Sequence, residues 1–216
     1  SPTTGVGLNT GSSRRDGLAD FKQERHVIFG CDVTMKVEGS KILVTGGAGL
    51  IGSTTIDQLL ANEKPAEIVI LDNMSRGTTR NLENALKDER VKLIQGDIRD
   101  KDLVYKVTEG MDAVIHMAAI RITACAADPR EAMEVMNDGT FNVIDAAHKA
   151  GVKKVLAASS ASILGLADTF PTTEDHHPYN NRTWYGASKI MLEGLLRSYN
   201  DMYGLNYVAM RYFNVY

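Results

Sequence analysis

The sequence predicts an α/β domain built on a doubly wound, mostly parallel sheet. Two observations carry this. From Lys41 onward, apolar runs of four or five residues alternate with amphipathic stretches of helical period. The first run, Lys41-Ile-Leu-Val-Thr45, leads at once into a glycine-rich turn, Gly46-Gly-Ala-Gly-Leu-Ile-Gly52. Short runs that are apolar throughout read as strands buried on both faces, which is the habit of a parallel sheet. Strands that alternate with helices join through right-handed crossovers, and these put helices on both faces.

The elements follow in order. After the first strand, 53–61 reads as a helix with Ile56, Leu59 and Leu60 on one face. Pro65 ends that segment, because its ring removes a backbone donor. Glu67-Ile-Val-Ile-Leu71 is the second strand and Val91-Lys-Leu-Ile-Gln95 the third. A short helix is expected over 100–108, and Ala113-Val-Ile-His116 is the fourth strand. The stretch 129–150 reads as one long helix, with apolar residues at Ala132, Met133, Met136, Phe141, Val143 and Ile144. Lys154-Val-Leu-Ala-Ala158 is the fifth strand, 184–203 another long helix, and 206–212 the sixth strand. This is a Rossmann-type pattern, with ligands expected at the carboxyl ends of the strands. No internal repeat is present beyond the β/α alternation.

Residues 1–34 do not share the pattern. Residues 1–17 are rich in Gly, Ser and Thr, carry the pair Arg14-Arg15 and lack the apolar core of a secretory signal. We read 1–34 as a disordered leader or extension without assigned function, with a short strand possible at 26–33, and the domain as 35–216. Apolar content of 44% and charged content of 24% match ordinary globular usage, which argues against disorder over the whole chain. A net charge of −3 makes no electrostatic case for nucleic acid. No apolar run approaches the roughly 20 residues that span a bilayer. Cys31 and Cys125 have no metal-ligand spacing, and no metal site is read from the sequence; a reduced, cytoplasmic setting is the simpler reading of two cysteines.

The spacing Gly46-x-x-Gly49-x-x-Gly52, between a strand and a helix, suits a dinucleotide pyrophosphate. Glycine permits the tight turn and the close backbone approach, and the helix N-terminus supplies free N–H groups. Asp72 ends the second strand 20 positions after Gly52, where a carboxylate accepts from ribose hydroxyls and repels a 2′-phosphate. That favours NAD over NADP, with Arg76 as the opposing residue. Asp97 and Ile98 follow the third strand, suited to an adenine amino group and its ring. His116 reads as a satisfied buried histidine rather than a catalytic one.

Tyr185 and Lys189 stand four residues apart, so they share one helical face. A neighbouring Lys⁺, and a nicotinamide cation when present, favour phenolate and lower the tyrosine pKa. Such a tyrosine can take a proton from a sugar hydroxyl while hydride leaves its carbon. Ser160, after the fifth strand, can bond the same oxygen.

Taken together, the segments Thr45–Gly52, Leu71–Asn73, Gly96–Ile98, His116–Ala119, Ser159–Ser162, Tyr185–Lys189 and Arg211–Asn214 resemble the extended short-chain dehydrogenase/reductase family. Within it they are most similar to nucleotide-sugar epimerases of the UDP-glucose 4-epimerase type. The resemblance implies bound NAD. Its contacts would come from Leu50 and Ile51, from Asp72, Asn73, Met74, Ser75, Arg76 and Gly77, and from Asp97 and Ile98. Met117, Ala118, Ala119, Ile120 and Arg121 would follow, with Tyr185, Lys189 and Phe213. Ser160 and Tyr185 would be the substrate-facing hydroxyls, Lys189 would bridge to the nicotinamide ribose, and Ser162 and Asn214 would lie near the sugar nucleotide. The implied reaction is epimerisation at C4 of a UDP-hexose through a 4-keto sugar. A homodimer is implied as well.

Three departures stand out. Met136 occupies the place where the family usually carries Asn, three residues before Gly139-Thr140, with Asn137 one step along. Ile163-Leu-Gly165 lacks the tyrosine that many relatives place before the glycine. Relatives also continue into a smaller domain that closes over the sugar nucleotide, and that domain is expected to be absent from this chain. The rival reactions are a 4,6-dehydratase, a reductase or a decarboxylase. Dehydratases of the family usually place Asp-Glu where this chain has Ala161-Ser162. A rival of another class is a non-catalytic, redox-sensing NAD module.

Overall fold

In the computed structural model, which describes residues 35–215, the six expected strands pair into one parallel sheet. They are β1 (Lys41–Thr45), β2 (Glu67–Asp72), β3 (Val91–Gln95), β4 (Ala113–His116), β5 (Lys154–Ser160) and β6 (Tyr207–Tyr212). Their order is β3-β2-β1-β4-β5-β6. Register aligns the carboxyl ends: Thr45 faces Leu71 on one side and His116 on the other, and Ser160 faces Tyr212. The order reverses between β1 and β4, so the crevice of a doubly wound sheet opens there. The leader 1–34, with its possible strand at 26–33, lies outside the described residues.

Period-two alternation within the apolar runs builds two cores. Leu43, Val69, Leu71, Val114 and Val155 point to one face and pack with Val104, Ile144, Leu192 and Leu196 from the helices there. Ile42, Val44, Ile68, Ile70, Ala113 and Ile115 point to the other and meet Ile56 and Leu82. Met35 and Val37 pack on the edge of this second core.

The helices are α1 (Leu50–Asn62), α2 (Lys101–Thr108), α3 (Ile122–Ala127), α4 (Pro129–Met133), α5 (Thr140–Lys149) and α6 (Trp184–Tyr203). α1 begins three residues before the expected 53–61, inside the glycine motif. Asp100 caps α2 instead of opening it: its carboxylate accepts from the Leu103 N–H at 3.0 Å. α3 was not expected; Ile-Thr-Ala-Cys-Ala-Ala shows no polar face to mark it.

The expected single helix 129–150 is interrupted by a π-helical segment, Glu134–Gly139. A π turn inserts an extra residue and shifts the phase of the helix beyond it. Of the apolar residues expected along it, Met133 is 38% and Phe141 43% exposed. Met136, Val143 and Ile144 stay buried. No described helix is long and apolar enough to cross a membrane. Cys125 is a free, buried thiol, and Cys31 lies outside the described residues.

Candidate active site

The three glycines divide their work. Gly46 has φ +71°, and a Cβ there would lie 2.6 Å from the Ala118 nitrogen. Gly52 carries the close packing of α1 on the turn, since a Cβ would sit 2.5 Å from the Gly46 carbonyl oxygen. Gly49 is the least crowded of the three, a Cβ there meeting only that same oxygen, closely, at 3.3 Å, and it caps α1 without any side-chain bond. An uncapped helix N-terminus leaves N–H groups and a positive dipole end for an anion.

The glycine turn forms one wall of a cavity of about 860 Å³ at the carboxyl ends of the strands. Gly46, Gly49, Leu50, Ile51 and Gly52 line it, followed by Asp72, Asn73, Ser75, Arg76 and Gly77 from the end of β2. Asp97 and Ile98 line it after β3, and Met117 to Arg121 after β4. Ser160, Ser162, Tyr185, Lys189, Phe213 and Asn214 close the other end. Met74 is the exception among the residues expected from the sequence. It holds φ 60° and turns its side chain onto the second core, away from the cavity.

Asp72 is buried at the end of β2. Its Oδ2 accepts from the Ala48 N–H and its Oδ1 from the Met74 N–H, both at 2.9 Å. The carboxylate therefore braces the glycine turn, retains one lone pair on each oxygen, and belongs to a residue that lines the cavity. Asp97 is more committed. Oδ1 takes the Arg99 main-chain N–H and Nε, and Oδ2 takes Arg99 Nη2 and Asn73 Nδ2, all within 3.0 Å. Arg99 holds its carboxyl at about 2. With its lone pairs filled, Asp97 reaches an adenine amino group only by releasing Asn73.

His116 is the buried histidine the sequence suggested. Thr45 Oγ1 lies 2.7 Å from Nδ1 and Thr140 Oγ1 3.1 Å from Nε2. Burial pushes its pKa down to about 3, so the ring is neutral.

β5 runs on through Ser159 and Ser160, so these serines end the strand itself rather than follow it. Alternation sends them to opposite sides. The Ser159 hydroxyl donates to Glu193 Oε1 at 2.5 Å, where Arg211 also pairs with Glu193. Ser160 Oγ donates to Ser162 Oγ and accepts from the Ser162 N–H, both at 3.1 Å. Thr183 caps α6, accepting from the Gly186 N–H at 3.0 Å, and this sets Tyr185 and Lys189 in the first turns.

The cavity shifts the Tyr185 pKa in the direction opposite to the expected lowering. Burial raises it, partly offset by a favourable interaction with Ser160. Lys189 cannot counter this from its present position. Its Nζ donates to the Ala158 carbonyl at 2.6 Å and lies 5.6 Å from the centre of the Tyr185 ring. Burial lowers Lys189 to about 8.

Met136 is buried with Cys125 and Ala132, against Ala119, Ile120 and Tyr185. Its sulfur accepts from the Ile120 N–H at 3.4 Å. Asn137 does not replace the expected asparagine: Nδ2 donates to the Met133 sulfur, and its Oδ1 has no partner among the described residues. The sequence also missed Asn81, which lines the cavity and donates to the Ala48 carbonyl at 2.8 Å. No motif marks it; only the 3₁₀ turn after β2 brings it there.

A glycine cradle, a strand-end carboxylate and a Ser/Tyr/Lys group on one cavity define a dinucleotide-dependent enzyme fold of the short-chain dehydrogenase type. The chain belongs to the NAD dependent epimerase/dehydratase family, whose model matches residues 42–216. It is 38% identical over 180 residues to UDP-glucose 4-epimerase of Bacillus subtilis, covering 80% of this chain and 52% of that one. A solved UDP-N-acetylglucosamine 4-epimerase from Methanobrevibacter ruminantium superposes with TM-score 0.77 at 32% identity, over 83% of this chain and 56% of that one. A dTDP-glucose 4,6-dehydratase from Streptomyces venezuelae, solved with NAD, gives TM-score 0.74 at 34% identity, over 79% and 55%. The chain spans about half the length of the curated relatives it matches.

Proposed function

We propose that this chain carries the NAD-holding and catalytic part of a nucleotide-sugar 4-epimerase acting at C4 of a UDP-hexose. The observation that carries the reading is one shared cavity, lined both by the Gly46–Gly52 turn and by Ser160, Tyr185 and Lys189. The glycine turn, the start of α1 without a side-chain cap, and Asp72 with one lone pair unused on each oxygen fit an adenosine diphosphate moiety. When bound, NAD supplies a hydride acceptor and donor at the sugar carbon. Tyr185 takes the proton of the C4 hydroxyl and returns it after the ketone has been presented on its other face. Ser160 orients the same oxygen. Lys189 would hold the cofactor ribose in place of the Ala158 carbonyl, and its charge, with that of the nicotinamide, would pull the tyrosine down from the raised pKa that burial imposes.

The dehydratase reading lacks its acid and base: Ala161 and Ser162 stand on the cavity wall where an Asp-Glu pair is required. A redox sensor needs no proton relay, yet Ser160, Tyr185 and Lys189 are all in place. The homodimer and the cytoplasmic setting belong to the same proposal, the first resting on family resemblance and the second on the sparse cysteines. Incubating the whole protein with UDP-glucose, UDP-galactose, UDP-N-acetylglucosamine and dTDP-glucose, with products read by NMR, tests the reading. The expected product is the C4 epimer of a UDP-sugar. A 4-keto-6-deoxy product would make it a dehydratase, and NAD binding without any turnover would favour the sensor.

A further inference from the structure

The proposed reaction needs Tyr185 and Lys189 on α6 to stand level with Ser160 at the end of β5. A polar tie between the same two elements lies behind the cavity wall. Ser159 and Arg211 are partners across β5 and β6, so their side chains rise from the same face of the sheet. Glu193 of α6 reaches both. Its Oε1 accepts from the Ser159 hydroxyl at 2.5 Å and from Arg211 Nε at 3.0 Å, and its Oε2 accepts from Arg211 Nη2 at 2.9 Å. A bidentate guanidinium–carboxylate pair fixes direction as well as distance. Arg211 Nη1 donates to the Glu174 carbonyl at 2.6 Å and so ties in the loop that leads to the Thr183 cap.

Neither Glu193 nor Arg211 lines the cavity, and the proposed reaction gives neither a step. Their side chains are only 21% and 20% exposed. A largely buried ion pair is weak evidence for stability, since desolvation offsets the attraction. Its place along α6 is more informative. Positions 185, 189 and 193 recur every fourth residue, so they follow one side of the helix with about 6 Å of rise between them. Tyr185 interacts with Ser160, Lys189 with the Ala158 carbonyl and Glu193 with Ser159, which are three consecutive residues of β5. In the proposed reaction Lys189 gives up Ala158 for the cofactor ribose. The Glu193 tie persists, because neither of its partners takes part. Leu192 and Leu196 hold the following stretch of α6 in the core, but apolar burial is non-directional.

We propose that Glu193, braced by Arg211, is a positioning residue that fixes α6 on β5 and thereby sets Tyr185 and Lys189 against the oxygen that Ser160 orients. This rests on the reaction proposed above. A carboxylate suits the task, since two acceptor-only oxygens take all three bonds. Without the tie, Tyr185 moves away from Ser160 and from the nicotinamide together. A misplacement of about 1 Å costs about a hundredfold in rate.

Glu193→Ala, Glu193→Gln and Ser159→Ala in the whole protein, with NAD bound, test this. The readouts are kcat and the ionisation of Tyr185, followed by phenolate absorbance with Tyr185→Phe as the blank. The groups facing that phenol are Lys189 on its own helix, Ser160 from β5 and Cys125 from α3, and none of them is altered. Glu193→Ala should lower kcat about 10- to 100-fold. Ser159→Ala removes one hydrogen bond and little packing, and should lower it at least about threefold. In both, the phenol should titrate at higher pH than in wild type, with NAD affinity nearly unchanged. Glu193→Gln keeps an acceptor for Ser159 and should recover part of the rate. Ser159→Ala and Glu193→Gln decide the matter even where Glu193→Ala fails to fold. Wild-type kcat and wild-type phenol titration in folded Ser159→Ala and Glu193→Gln chains would overturn the proposal and leave the tie a structural one. Should the whole protein turn over no nucleotide sugar, the proposed reaction falls, and the phenol titration alone decides the positioning role.

Discussion

Two residues show how local chemistry sets cofactor choice and stability. Asp72 keeps one lone pair per oxygen for a ribose, and its charge opposes a 2′-phosphate. Charge-assisted hydrogen bonds are worth about 1.5–3 kcal/mol. NAD should therefore bind at least about tenfold more tightly than NADP in equilibrium titration; equal binding would mean that Arg76, on the same wall, outweighs Asp72. His116 sets a pH dependence. Its folded-state pKa, about 3, lies below the ordinary value of 6.5. The unfolded chain then binds more protons, so this contribution is full above 6.5 and is lost as pH falls toward 3. Each unit is about 1.4 kcal/mol, so roughly 2 kcal/mol should go between pH 6.5 and about 5 in urea unfolding. Asp88 and Asp97 start from 3.8 and are lowered to about 2, so they act only below that window. His116→Gln should flatten the slope; an unchanged slope would locate the proton uptake elsewhere. The role of His116 was legible from its place in a buried strand end. The direction of the Tyr185 shift was not, because it depends on burial against Met136 and Cys125, which reach it through packing.

At the scale of elements, the strands and the glycine turn were legible because strict apolar runs and glycines report directly on backbone geometry. The turn makes a sharp prediction. Gly52→Ala places a Cβ 2.5 Å from a backbone oxygen that cannot swing aside. Overpacking of this kind costs about 1–3 kcal/mol, and it should also displace the Gly49 cradle and weaken NAD binding. Gly52→Ala with normal affinity would show that the turn adapts. The π-helical segment was invisible by contrast, because one inserted residue leaves composition and local periodicity almost unchanged. Gly139→Ala would place a Cβ 2.6 Å from Cγ1 and 2.7 Å from Cδ1 of Ile98, a buried, β-branched side chain, so it too should destabilise. It should still cost less than Gly52→Ala when the two are compared by thermal unfolding, because a side chain can repack where the Gly46 and Gly47 backbone cannot swing aside.

At the scale of the molecule, two cores clamp the sheet from both faces and leave its carboxyl edge free for one long cavity. That architecture followed from the alternation of runs alone. The loop fold around Asp168 and His176 did not, since its residues meet only through Gly165 and Asn180. A ligand held only by the folded chain stabilises it, so NAD at 100 times its dissociation constant should add about 2.7 kcal/mol to unfolding. An unchanged unfolding free energy would mean that the cradle does not hold it. The most direct test of the whole account is the turnover of Tyr185→Phe in the whole protein, measured beside its NAD affinity. The variant removes one hydroxyl and little packing. A fall in kcat of about 10²- to 10⁴-fold with NAD affinity nearly unchanged is the predicted result. Turnover near the wild-type rate in a normally folded variant would contradict it, because the proton would then leave by another route.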